Sequence, residues 1–298
     1  MFLSLSSRTR LVTPALALTP MLALFLTVAA CSGDTPAPAA KPADKPVQAP
    51  VTTAAAPPPT LAMSDLAAEA QNVTLAPSPA EMQKAMEKAG ISGGLSKLVQ
   101  DRDLKLDVSN KDVVAVRTGV VLADCLLTVK EATKEKLVAR LALVKTGMNT
   151  LGAGKDLPAT IDDLTARINN DSISRDDLVK ELDEMHGAII PEIQFEAGDR
   201  SVPLIQAGSW LEGSNLVAAA IVAANKPDAG TQMLRQPEVV GYFLKYVKTE
   251  GADKASSGVI TQLQGTLEKL QEIAAKPALT LDDVKEIKAQ TDSVLTLL

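Results

Sequence analysis

Apolar residues recur along most of this chain at the spacing of helices. Leu137, Leu141, Val144, Met148 and Leu151 step by four and three, which lines them along one helical face. Val284, Ile287, Thr291, Val294 and Leu298 repeat the rhythm with one polar intruder, and Val259/Ile260, Leu263, Leu267 and Leu270 form a third stripe. No alternating run bounded by turn residues stands out, so the pattern predicts an all-α bundle of about ten helices over 61–298. Two stretches, 113–129 and 202–224, are apolar nearly all round and predict central helices wrapped by amphipathic ones. The first is short for a membrane span and carries Arg117 and Asp124.

Helix starts are written in a common formula. Ser78-Pro79-Ala80-Glu81 offers a cap, a proline at the first helical position and an acid in the first turn. Thr160, Ser174 and Thr280 each precede a pair of aspartates: Asp162-Asp163, Asp176-Asp177 and Asp282-Asp283. A hydroxyl can accept from an unpaired first-turn amide while the carboxylates face the positive end of the helix dipole. Adjacent aspartates also suit a metal or acid–base pair, but their repetition in one first-turn context favours capping. His186, followed by Gly187, reads as a helix C-terminus, where a partly cationic ring suits the dipole.

The two all-apolar stretches suggest a duplication. Thr118-Gly119 through Leu122 resembles Ala207-Gly208 through Leu211 at an offset of 89. Val144-Lys145-Thr146 recurs as Val247-Lys248-Thr249, and Asp176-Asp177 as Asp282-Asp283, at offsets of 103 and 106. The jump falls where 225–237 reads as an inserted linker with Pro227, Gly230 and Pro237. The expectation is two tandem four-helix units, about 111–187 and 201–298.

Composition narrows the chemistry. Of the 298 residues 46% are hydrophobic but only 2% aromatic, so small aliphatic side chains must do the packing. A net charge of −6 without a basic patch argues against nucleic-acid binding, and few aromatics against a large sugar-stacking groove. One histidine and two cysteines leave no zinc cluster, so neither metal nor cofactor is expected.

The first sixty residues differ from the rest. Arg8 and Arg10 open an acid-free segment, a Leu/Ala-rich run follows, and Leu-Thr-Val-Ala-Ala-Cys31 closes it. This order is that of a secretory signal. The segment resembles the lipobox of bacterial lipoproteins: an aliphatic residue, two small residues, then cysteine. The resemblance covers residues 1–31 and implies that 1–30 are removed and that Cys31 carries the lipid. By the sorting rule it brings with it, Ser32 in place of Asp implies the outer membrane; the outer face of the inner membrane is the alternative. Residues 34–60 hold eight prolines and eight alanines, a composition that stays extended and serves as a tether of up to ~80 Å.

Within 61–298 no catalytic motif stands out. Ser209 lacks a Gly-x-Ser-x-Gly turn and lies in a helical pattern. The run from Gly147 to Asp156 fails as a phosphate loop, since Asp156 replaces the hydroxyl that would hold magnesium, and reads instead as a helix-ending loop. Cys125 reads as a buried small hydrophobe, and Tyr242, Phe243 and Tyr246 as core. One constellation remains. Arg117 and Asp124 share a face of the first central helix, and Gln206, Trp210, Glu212 and Asn215 lie on the second. They form either an internal network, with Arg117 paired to Glu212 or Asp124, or a polar spot in an apolar pocket walled by Trp210. The expected protein is a non-enzymatic, lipid-anchored envelope module facing the periplasm. It binds or scaffolds an envelope protein partner or, alternatively, carries an apolar small molecule or lipid between the central helices.

Overall fold

The computed structural model describes residues 79–91, 93–197, 201–251 and 257–298. The signal, Cys31, the tether and residues 61–78 lie outside them. Among the described residues there are eleven helices and no strand, so the fold is an all-α bundle. In order they are α1 (Pro79–Lys88), α2 (Leu95–Leu98), α3 (Lys111–Thr128), α4 (Lys134–Leu151), α5 (Asp156–Asn169) and α6 (Arg175–Ala197). There follow α7 (Ser201–Ala224), α8 (Pro227–Met233), α9 (Pro237–Glu250), α10 (Ser257–Ala274) and α11 (Leu281–Leu295). Among the described residues, no helix is long and apolar enough to cross a membrane.

Several predicted starts carry the expected caps. Ser174 Oγ accepts from Asp177 N at 3.1 Å. Thr280 Oγ1 accepts from Asp283 N at 3.2 Å while Asp283 Oδ2 accepts from Thr280 N at 2.9 Å, a reciprocal capping box. Lys276 and the Thr280 amide both donate to the Asp283 carboxyl and hold its pKa down at about 2.

Three expectations need correction. Thr160 is no cap: α5 begins at Asp156, and Thr160 Oγ1 donates to Asp156 O at 3.0 Å from inside the helix. Pro158 falls in that first turn, where its missing N–H breaks no helical bond. His186 does not end a helix, because α6 runs on to Ala197. Buried Leu178, Leu182, Met185 and Ile189 continue one stripe past it, and that outweighs the ~1 kcal/mol cost of Gly187. Finally, 225–237 is not a bare linker. It contains α8, started by Pro227, with Ala229 and Met233 buried.

The most extensive helix contact joins α3 to α7, and small residues make it close. A β-carbon on Gly119 would run into the main-chain carbonyl of Ile205; one on Gly208 would run into that of Val116. Backbone therefore packs on backbone. Ser209 Oγ strengthens the seam by donating to Gly119 O at 2.9 Å. Contacts advance together along both helices, Gly119 with Ser209, Asp124 with Glu212 and Leu127 with Gly213, so α3 and α7 run in the same direction.

Around this pair the two ends of the chain pack unequally. The stripe Leu137–Leu141–Val144–Met148–Leu151 buries α4 against the core, and Gly147 lets it approach α3 so closely that a β-carbon there would strike Thr118. On the other side, α11 lies along α7, whereas α9 makes no comparable backbone approach to α7. It meets α7 through the rings of Trp210 and Phe243, whose centroids are 5.4 Å apart.

Candidate functional site

Where α9 stands off, a cavity of about 220 Å³ opens. Leu204, Ala207, Trp210 and Leu211 of α7 form one wall, facing Phe243, Tyr246 and Val247 of α9. Ile260, Leu263 and Leu267 of α10 form the next, and Val294, Leu297 and Leu298 close it from the end of α11. Asp112, at the start of α3, is the one charged side chain in its lining. Trp210 keeps its polar edge satisfied outside this space: Nε1 donates to Gln236 Oε1 at 2.8 Å. Tyr242 and Phe243 are buried as expected for core, while Tyr246 is half-buried at the pocket wall.

The polar residues singled out from the sequence do not form one constellation. Arg117 pairs with neither Asp124 nor Glu212. Its Nε donates to the main-chain oxygen of Leu298 at 2.6 Å, Nη2 donates to the same atom, and Nη1 donates to Lys105 O at 2.7 Å. The guanidinium thus fixes the backbone whose Leu298 side chain lines the pocket. Asn215 Nδ2 donates to Thr291 Oγ1 at 3.0 Å and Asp292 Oδ1 at 2.7 Å, tying α7 to α11. Seven residues apart on one helix, Arg117 and Asp124 share a face but serve different neighbours.

Asp124 and Glu212 do meet, across the α3–α7 seam. The cation beside them is Arg102, whose Nη1 donates to Glu212 Oε2 at 2.7 Å. Asp124 Oδ1 and Glu212 Oε1 are both buried without a donor. Burial and the adjacent Glu212 push the Asp124 carboxyl well above the usual range, against the pull of Arg140 and Arg102. Burial likewise raises Glu212, opposed by Arg102 and by its hydrogen bond with Asp124. A proton shared between the two carboxyls would supply the donor they lack and, with Arg102, leave the buried trio without net charge, the condition under which such a cluster is tolerated.

Arg102 had no signal in the sequence. It lies between α2 and α3 in an irregular stretch, flanked by Asp101 and Asp103. A more open depression of about 500 Å³ beside it is lined by charges of both signs, Arg102, Lys136 and Arg140 with Asp101, Asp103 and Asp124. Burial lowers the pKa of His186, Asp183 opposes it, and the ring adjoins neither cavity. Cys125 is fully buried in α3, which pushes its thiol up to about 12. Among the described residues no group of three acidic, histidine or cysteine side chains is placed to hold a metal ion. Comparison with family models, curated proteins and solved structures returned no match.

Proposed function

We propose that this is a lipid-anchored cell-envelope protein whose helical domain is a binding module, with the α7–α11 pocket as the seat of an apolar ligand. The observation that carries the reading is the pocket itself. It is larger than the ~150 Å³ apolar cavity that accommodates benzene in an engineered core, and its walls supply apolar surface almost throughout. The lipobox-like run ending at Cys31 supports the anchor, and Ser32 an outer-membrane address with the domain in the periplasm. The Pro/Ala-rich 34–60 then serves as the spacer.

The same reading takes the domain as two related halves built around α3 and α7. Support comes from the seam, where residues 116, 119 and 120 correspond to 205, 208 and 209 at the single offset of 89. Gly119 packs on Ile205 and Ser209; Gly208 packs on Val116 and Val120. On this view the pocket is the gap left where the second half fails to close as the first does.

Trp210 is the sole tryptophan and sits in the pocket wall, so its fluorescence reads occupancy directly. Titration with n-decanol is expected to shift its emission in the wild type and to leave Ala207→Phe unchanged. An unchanged wild-type signal, with no bound decanol in native mass spectrometry, would remove the reading. For the anchor, labelled palmitate is expected in the wild type and absent from Cys31→Ala; equal labelling would overturn it.

A further inference from the structure

We infer that the pocket takes one unbranched hydrocarbon chain, inserted end-on, with its head group left outside; this rests on the pocket reading above. The shape of the cavity carries the inference. The walls on α7 and α10 are graded in burial from one end to the other, while Val247 of α9 and Gly251 at its end stay buried along theirs. On α7, Leu204 and Ala207 are half-buried while Trp210 and Leu211 are buried; on α10, Ile260 and Leu263 give way to buried Leu267. Helix α11 shows the same gradient in the opposite sense along its sequence. Val294 is buried, and Leu297, just past the helix end, is 41% exposed. The cavity is therefore a slot with a closed end at the Trp210–Phe243 ring pair and a mouth at Leu204, Ile260 and Leu297.

Its proportions follow from helix geometry. The lining positions 204–211 on α7 and 260–267 on α10 each span seven residues, or about 10 Å at ~1.5 Å per residue. A slot of that length takes an extended chain along its axis, whereas a compact cage of rings fills only part of it. Carbon–carbon bonds of ~1.52 Å meeting at ~111° advance about 1.25 Å each, so the slot holds roughly eight carbons. The closed end offers rings and aliphatic groups, so the chain must enter tail first. The class that results is an amphiphile with one accessible alkyl tail.

Straight-chain alkanols from hexanol to dodecanol and 1-adamantanol separate shape from apolarity, because decanol and adamantanol share carbon number and head group. The full chain is titrated with each, following Trp210 emission and native mass spectrometry. Binding is expected to tighten about fourfold per added methylene while the slot fills, and to level off near eight carbons. Adamantanol is expected to bind at least tenfold more weakly than decanol. Equal or tighter binding of adamantanol, or a chain series without slope, overturns the end-on chain and leaves the pocket as a ligand site. Failure of every alcohol to bind overturns the pocket reading too. Leu267→Trp, which shortens the slot from its closed end, is expected to move the plateau to shorter chains. Circular dichroism and denaturation confirm that the variant is folded, and an unmoved plateau in folded protein counts against the proposed direction of entry.

Discussion

The two sides of the α3–α7 pair differ in one respect that decides where a ligand can go. On the first side α4 is drawn onto α3 by Gly147, and Thr118 fills the space the glycine leaves. On the other, Ala207 faces the slot, and α9 meets α7 through the rings of Trp210 and Phe243 without a comparable backbone approach. One side invests its small residues in closeness. The other spends large residues as props. A cavity in this bundle thus arises where one helix stands off from its neighbour, and needs no polar motif to mark it.

The largest expected effect lies at the seam common to both sides. Gly119→Ala and Gly208→Ala each push a methyl group into a facing carbonyl, which side-chain movement cannot relieve. Each is expected to cost about 3 kcal/mol or more in urea denaturation, beyond ordinary overpacking of side chains. Similar losses support the proposed correspondence between the halves; a harmless change at only one of them counts against it.

Next comes the contrast itself. Thr118→Leu overpacks the closed side against Gly147 and is expected to cost about 1–3 kcal/mol. Ala207→Leu points a larger added volume into the slot and is nevertheless expected to stay within about 1 kcal/mol of the wild type while weakening decanol binding. Equal losses at the two positions would mean that the sides are packed alike.

A smaller, pH-dependent effect belongs to the carboxyl pair in the seam. Asp124 and Glu212 both titrate above their ordinary values, so the folded protein holds a proton that the unfolded chain has released. The stability this proton gives is complete below the unfolded carboxylate range, about 4, and is lost as pH rises through the raised pKa. Arg102 and Arg140 pull the Asp124 carboxyl down, Arg102 does the same to Glu212, and Asp292 pushes Glu212 up. Denaturation midpoints are expected to fall from pH 5 to pH 8 in the wild type and to fall less in Asp124→Asn, whose amide donates without a proton to lose. Asp283, lowered to about 2, acts in the opposite sense, and its contribution disappears only as pH drops through that value. The smallest contrast concerns caps: Thr280→Ala should lose about 1 kcal/mol and Thr160→Ala only a few tenths, read from thermal or urea melts.

Helix content and core faces were legible because they depend on local spacing. The stripe from Leu137 to Leu151 is buried as its steps imply, and Thr291 is buried within its stripe. Thr160 misled because the same three letters describe a cap and the second turn of a helix that Pro158 had already opened. The partners of the polar residues were less accessible. Burial of Glu212 demands a cation, but nothing in the spacing of Arg117 distinguishes it from Arg102, and the choice is made by how the irregular segment before α3 folds back. Trp210 could be named as a wall in advance. That the slot lay on its α9 side, away from Asp124, depended on helix separations that no periodicity encodes.

Cys125 gives this architecture a clock. Its thiol is wholly enclosed in α3 and titrates near 12, so an alkylating reagent can reach a reactive sulfur there only after the helix pair has parted. Its labelling rate counts those openings one molecule at a time. A chain with a free Cys31 would take up a second equivalent on the separate timescale of that thiol, and an acylated one would not. The same trace would therefore report how often the core breathes and whether the far end of the chain bears its lipid.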